Sequence, residues 1–480
     1  MGVLEGLEPR RVFQFFEALC AIPHGSRNCG AVSDWCVAFA KERGLEYHQD
    51  EAGNVILIKE ASPGYEAAEP VILQGHLDMV CEKEPGCGKD MAKEGLDLYV
   101  EDGFVRAKGT TLGGDDGIAV AMALAALDDD QLPHPRLEAV FTTEEEIGML
   151  GAEALDVSPL RGRKLINLDS EAEGIFTVSC AGGSMARCVL PVSRVPFDGT
   201  ALEVTVRGLA GGHSGTEIDK GRANACTALG RVLQAAGLET ELRLADISGG
   251  GKDNAIPTEA RARIAVSDEA AARRAVEKIA GDLTREYAGA DPGLRVEAAA
   301  CETGRTLMDG DTTAKVLCML TCLPNGVQAM SRDIPGLVQT SLNLGILAAE
   351  EDRLTATFCV RSSLGSQKEL LHRRLQALME QLGGTVTVSG DYPAWEYRKD
   401  SPLRDLMTEV FWEQYGAAPE IEAIHAGVEC GILAGKLPGL DAVSIGPDLP
   451  EIHTPRERMD IASVERVWRF LLEVLRRSRA

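Results

Sequence analysis

Apolar runs at residues 55–58, 71–73, 137–141 and 165–168 are of strand length and carry almost no polar positions. This is the pattern of strands buried on both faces. Helical spacing separates them, most clearly over 118–127, so the first part of the chain predicts an α/β sheet with helices on its faces. The middle changes period. Leu202, Val204 and Val206 alternate with Glu203, Thr205 and Arg207, and 261–266 and 385–388 behave alike. A period of two marks half-buried strands, expected here to be antiparallel. After Asp391 the α/β pattern returns, with a strand at 442–445 and a last helix carrying Ile461, Val464, Val467, Trp468, Leu471 and Leu475 on one face. The middle therefore reads as an insert. The expected organisation is a discontinuous first domain, 1–185 and 392–480, interrupted by a second at 186–391.

Composition narrows the function classes. With 480 residues, 45% hydrophobic and 26% charged, the chain is ordinary for a folded protein of two domains. The net charge of -25 repels phosphate backbones and anionic headgroups, which argues against nucleic acid and membrane partners. No apolar run approaches the length of a membrane span, and residues 1–11 lack a basic segment followed by an apolar one, so the expected location is cytoplasmic. The 13 cysteines are scattered without a CxxC pair, and residues such as Cys20, Cys318 and Cys359 are expected as reduced core thiols rather than disulfides or zinc thiolates.

Polar clusters follow the apolar strands, where open α/β sheets place their ligands. Gln74-Gly75-His76-Leu77-Asp78 sets an imidazole and a carboxylate two residues apart, on one face of an extended segment. His76 suits a metal with Asp78 fixing its ring, and alone it equally suits a hydrogen-bonded core histidine. Gly113-Gly114-Asp115-Asp116-Gly117 precedes the helical run. Adjacent carboxylates there attract a cation rather than a phosphate, or simply cap the helix. Glu144-Glu145-Glu146 follows the strand at 137–141, Asp169 and Glu171 follow 165–168, and His453 lies before the last helix. Together these residues supply imidazoles and carboxylates, the donors for paired zinc, cobalt or manganese rather than for a thiolate-bound structural zinc.

The runs QGHLDMV, TTLGGDDGIAVA, FTTEEEIGMLGA, INLDSE, GLAGGHSG, DNAIP, HAGVECGI and SIGP followed by IHTPRERM resemble, in order and over essentially the whole chain, the bacterial aminoacyl-histidine dipeptidases (peptidase D, Xaa-His dipeptidases) among the lid-domain di-zinc metallopeptidases. The resemblance implies an α/β fold: a discontinuous di-zinc peptidase catalytic domain with a mixed central sheet, plus an inserted α+β lid. It implies two divalent ions, zinc first with cobalt or manganese as alternatives. His76 and Asp169 would hold one ion, Glu146 and His453 the other, and Asp115 would bridge them. Asp78 would orient His76, Glu145 would be the general base, and the Asp115-Asp116 peptide would be cis. The extra Glu144 raises a question of register, which the spacing to Gly148 answers by analogy. In the lid, His213 would stabilise the oxyanion and Arg361 would bind the substrate carboxylate. Asn254 and the Gly427 loop would contact substrate, and His425 and Glu429 either contact substrate or pack. His24, His48, His134 and His372 match no motif.

The implied reaction is attack of a metal-bridged water, deprotonated by Glu145, on the peptide bond of an unblocked dipeptide, including β-alanyl-histidine. An aminoacylase or carboxypeptidase shares this chemistry, and a non-catalytic metal or peptide binder or a two-metal phosphoesterase are more distant alternatives. The expected partner is a small peptide. A homodimer through the lid is one expectation for the assembly, and an enlarged lid reaching its own site is the other.

Overall fold

The apolar runs form the middle of an eight-stranded mixed sheet in the order Glu46–Gln49, Val55–Lys59, Leu137–Thr142, Val71–His76, Lys164–Asn167, Asp441–Ser444, Ile175–Cys180 and Glu420–Ile424. The structure is a computed structural model that describes residues 2–479. Strands 137–142, 71–76, 164–167 and 441–444 run parallel. Every residue of the first two is buried, as strands covered on both faces require. Parallel pairing places their carboxyl ends along one edge. His76 sits opposite Thr142, and Gln74 opposite Asn167, so whatever follows these strands is gathered together.

The helix Gly114–Asp128 is buried from Gly114 through Leu127, which explains its alanine-rich, all-round apolar sequence. It packs on Arg10–Cys20 and on Val71–His76. A Cβ at Gly117 would lie 3.2 Å from both Leu19 Cδ2 and Phe16 Cε2, so that position stays small. The last helix, Ile461–Arg477, starts at Asp460, whose side chain accepts from Ser463 N at 2.8 Å. Its buried face is Val464, Val467, Phe470, Leu471, Val474 and Leu475, while Ile461 and Trp468 are only half-buried. The face is turned from the expected one because Phe470 joins Phe176 and Phe411, with centroids 5.7 and 5.8 Å away.

These elements belong to one unit, comprising the residues up to Ser179, then Tyr397–Ala423, and those from Val428 onward. The second unit is Cys180–Glu396 with Ile424–Gly427, a return too short to carry a hydrophobic period. It contains a nine-stranded sheet in the order Arg295–Ala300, Thr200–Arg207, Ala260–Val266, Leu242–Gly249, Val338–Ala349, Arg353–Ser362, Gly182–Pro191 and Thr385–Tyr392, with Gly326–Met330 also paired to Val338–Ala349. The pairing is antiparallel throughout. Leu202, Val204 and Val206 are buried, while their neighbour Glu203 pairs across the strands with Arg263 at 3.2 Å. One face is thus core and the other carries charge. All 13 cysteines are free thiols. No helix among the described residues is long and apolar enough to cross a membrane.

Phe176 is 1% exposed at the centre of the aromatic cluster. Phe176→Ala should therefore destabilise the first unit by about 3–5 kcal/mol, read as a lower urea midpoint; an unchanged midpoint would show that the cluster does not hold the helices to the sheet.

Candidate active site

Val71–His76 ends on a histidine that is 1% exposed. Its Nδ1 lies 2.9 Å from the main-chain carbonyl of Asp78. A carbonyl only accepts, so Nδ1 carries the proton and the Nε2 lone pair is directed elsewhere. It faces carboxylate oxygens: Asp115 Oδ1 at 3.1 Å and Asp169 Oδ1 at 3.6 Å. A lone pair against carboxylates is repulsive unless a proton or a metal ion lies between them. The side chain of Asp78, expected to fix the ring, is 3.6 Å from Nδ1. It also accepts from the amides of Glu145 at 2.9 Å and Glu146 at 3.2 Å and from Ser26 Oγ at 2.8 Å. The main-chain carbonyl makes the shorter contact to the ring, and the carboxylate, also facing it, holds the glutamate loop as well.

Asp115 follows Gly113, whose φ of 68° needs glycine. The Asp115-Asp116 peptide bond is cis. While Asp115 Oδ1 meets His76, Oδ2 lies 3.0 Å from His453 Nε2. His453 is also 3.1 Å from Glu146. The expected ligands therefore come together as two groups, His76 with Asp169 and His453 with Glu146, which share Asp115. Donor atoms of His76, Asp115 and Glu146 lie within 4.8 Å of one another. Asp116 can also be grouped with His76 and Asp169; its Oδ2 accepts from His76 N at 3.1 Å and braces the strand end, while its Oδ1 has no hydrogen-bond partner among the described residues.

The three glutamates are separated by backbone conformation. Glu144 has φ of 58°, and both its oxygens accept from Arg27 N, at 2.7 and 2.9 Å. Glu146 reaches His453. Glu145 is left beside the donor set with its amide pinned by Asp78.

Carboxylates outnumber imidazoles in this pocket, and the protonation of the groups reflects it. Burial pushes Glu145 up to about 9, and the nearby Asp169, Glu429 and Glu146 add to the rise against the pull of His76. Burial likewise takes Asp169 to about 6. Hydrogen bonds to Asp115 and Glu146 raise His453 to about 10. Burial alone would lower His76, yet Asp169 and Asp115 hold it well above the ordinary histidine range. The carboxylates thus favour positive charge at this point of the pocket. Hard and borderline donors in two groups joined by one carboxylate suit two divalent ions.

Residues absent from the expected site support it from below. Gln74 Nε2 and Thr142 Oγ1 donate to Glu429 Oε2 at 2.5 and 2.7 Å, Asn167 Nδ2 donates to Gln74 Oε1 at 2.5 Å, and Ser444 Oγ donates to Asn167. Gln74 and Asn167 stand two residues before His76 and Asp169, so polar residues within apolar strands were the available signal. Glu429 is fully buried and serves this network. Glu457 gave no such signal. It is 3% exposed, and its carboxylate accepts main-chain N–H groups of the Asp115 turn.

His213, Asn254, Arg361, His425 and Gly427 lie in the second unit. His213 Nδ1 accepts from the amides of Gly215 at 3.3 Å and Thr216 at 3.1 Å, which leaves the ring proton on Nε2. Burial, and then the Arg361 charge, lower its affinity for a second proton. Arg361 is 8% exposed, donates from Nη1 to Tyr392 Oη at 3.1 Å, and has no partner at Nε. A Cβ at Gly215 would lie 3.0 Å from His213 Cε1 and 3.1 Å from Arg361 Nε, so glycine lets these groups converge. His425 Nε2 is 2.7 Å from Ser341 Oγ. Gly427 packs on the Tyr392 ring, where a Cβ would lie 2.6 Å from Cε2. Asn254 and His213 line an open cavity of about 980 Å³ with Lys252 and Arg261.

Known proteins resemble this chain in sequence and in fold. Residues 72–477 match the model for Peptidase family M20/M25/M40. Over 480 residues, 99% of each chain, the sequence is 36% identical to the cytosol non-specific dipeptidase of Escherichia coli (strain K12). The crystal structure of aminoacylhistidine dipeptidase from Vibrio alginolyticus aligns with a TM-score of 0.94 at 34% identity, covering 98% of this chain and 97% of that one. Aminopeptidase PepT from Bacillus cereus ATCC 10987 shares the fold, with a TM-score of 0.58 at 15% identity over 99% of this chain and 100% of that one.

Hydrogen bonds to Asp115 and Glu146 raise His453 to about 10, so at pH 7.5 it holds a proton in the metal-free protein. Loading a divalent ion on His453, a candidate ligand, must displace its proton. Calorimetry in buffers of different ionisation enthalpy should show protons released on binding and affinity rising toward pH 9; binding without proton release would contradict the charge balance described.

Proposed function

The chain belongs to peptidase family M20/M25/M40, and on that premise we propose that it is a dipeptidase that hydrolyses unblocked dipeptides, those with a C-terminal histidine among them. The observation that carries this reading is Asp115 set between two imidazoles, with a buried glutamate, Glu145, beside them. A binder has no use for that glutamate, whereas a hydrolase needs a proton acceptor next to its ions.

His76 and Asp169 would hold one divalent ion, His453 and Glu146 the other, and Asp115 both; zinc is the first choice, with cobalt or manganese as alternatives. When bound, such ions acidify water and polarise the scissile carbonyl. Glu145 takes a proton from the attacking water and returns it to the leaving amine. Its burial raises its proton affinity, so a proton taken from water is retained until it is returned. Asp78 holds the amides of Glu145 and Glu146 with one carboxylate, so base and ligand keep a fixed spacing.

His213 is proposed as the donor to the oxyanion. Its Nδ1 is occupied as an acceptor, so Nε2–H is the group it can offer, and one such donor is commonly worth about 2.7–4 kcal/mol. Arg361, a buried guanidinium with a free Nε–H, is proposed for the substrate's carboxylate, and Asn254 and Gly427 for contacts around it. The Escherichia coli relative is named for broad dipeptide hydrolysis and the Vibrio protein for aminoacyl-histidine, so both substrate types belong in the test. Free thiols throughout fit the reducing cytoplasm proposed as its location.

The experiment is hydrolysis of alanyl-alanine, alanyl-histidine, β-alanyl-histidine and their N-acetyl forms by metal-loaded enzyme and by Glu145→Gln. Unblocked dipeptides should be cleaved, and the variant should lose about 10²–10⁴ in kcat while binding metal as before. Cleavage of only the acetylated forms would make the protein an aminoacylase, and no cleavage with metal bound would make it a binding protein.

A further inference from the structure

Glu457 lies outside the donor set, yet its carboxylate is saturated in an unusual way. Oε2 accepts from Leu112 N at 2.7 Å and Gly113 N at 3.1 Å, and Oε1 from Gly114 N at 2.8 Å and Asp115 N at 3.4 Å. Four successive amides closing on one anion form a nest. The glycines permit the approach. Gly113 has φ of 68°, and a Cβ on Gly114 would lie 3.3 Å from Glu457 Oε1 and 3.0 Å from Leu449 Cδ2.

A plain helix cap is the competing explanation. A capping side chain accepts from the second or third helical amide, whereas these bonds begin at Leu112, ahead of the Gly114–Asp128 helix, and Asp115 and Asp116 have non-helical dihedrals. The carboxylate therefore holds the turn that carries Asp115. The other end of the link is His453, four residues upstream of Glu457. That segment is closed on itself: Glu457 N donates to Thr454 O at 3.0 Å, and Thr454 Oγ1 donates to Glu451 O at 2.8 Å.

We propose that Glu457 is a positioning residue that locks the Asp115 turn to the His453 loop and so keeps the His453–Glu146 half of the site in register with the His76–Asp169 half. Asp115 presents one oxygen to each imidazole, at 3.1 and 3.0 Å, so a small rotation of the turn takes one of them away. His76 is fixed independently by its own strand and by the Asp78 carbonyl. His453 has φ of 58° in a loop and depends on the link. The inference concerns metal placement and rests on the di-metal reading of the site, not on which peptide is cleaved.

The test is Glu457→Gln, which keeps the shape and places an NH₂ against N–H donors. Metal-free protein is titrated with zinc by calorimetry. One equivalent should bind within about threefold of the unaltered protein and the other about 10- to 100-fold more weakly, with kcat reduced and KM little changed. Two equivalents of unaltered affinity, or two weakened alike, would overturn the proposal. A second measurement needs no variant: in the metal-free unaltered protein, hydrogen exchange at the amides of residues 112–115 should be slow, and fast exchange would overturn it even where Glu457→Gln does not fold. Dipeptide turnover enters neither binding readout, so an error in the assigned substrate would leave both outcomes readable.

Discussion

One carboxylate reached from its two oxygens by two imidazoles is the constraint on which the rest of this structure depends. His76 comes from a central strand and His453 from a loop before the last helix, 377 residues apart in the numbering (453 less 76), and Asp115 must satisfy both. Parallel pairing of Val71–His76 with Leu137–Thr142 and Lys164–Asn167 brings His76, Glu146 and Asp169 to one sheet edge. The buried helix behind Asp115 fixes the height of the turn, and the polar network from Glu429 through Gln74 to Asn167 ties the strand ends to one another.

Building such a site works against stability elsewhere. Carboxylates are packed where burial disfavours charge, and several non-glycine residues around the site have left-handed φ: Arg27, Glu144, Met149 and His453. Such residues cost of the order of 1–3 kcal/mol each and persist where their surroundings over-determine them. The surroundings are visible here. Arg27 and Glu144 are bound to each other through Arg27 N, and the Asp78 carboxylate spans Ser26, Glu145 and Glu146. Strain that aims Glu145 and His453 is therefore held by main-chain hydrogen bonds to buried carboxylates.

Much of this was legible in the sequence, for a physical reason. Strands buried on both faces appear as apolar runs, and the polar clusters at the ends of several such runs, each ambiguous alone, together mark a site. The period-two segments of the middle became antiparallel strands on the same grounds. Other features depend on contacts that no local pattern records. Glu144 turns away to Arg27 N through its φ of 58°, while Glu146 reaches His453. The face of the last helix is set by Phe176 and Phe411 meeting Phe470, which moves Trp468 to the margin. Asp78 was expected to orient His76; both its carbonyl and its carboxylate face His76 Nδ1, at 2.9 and 3.6 Å, and what the pattern did not record is that the carboxylate also holds the glutamate loop. Glu457 stands among charged residues in the sequence and becomes buried only once the Asp115 turn closes around it.

Anomalous scattering from crystals soaked in zinc is the most direct test of Asp115 as the shared carboxylate. Two peaks on opposite oxygens of Asp115, one against His76 and Asp169 and the other against His453 and Glu146, are the predicted result. A single peak, or one that takes Asp116 in place of Asp115, would contradict the account.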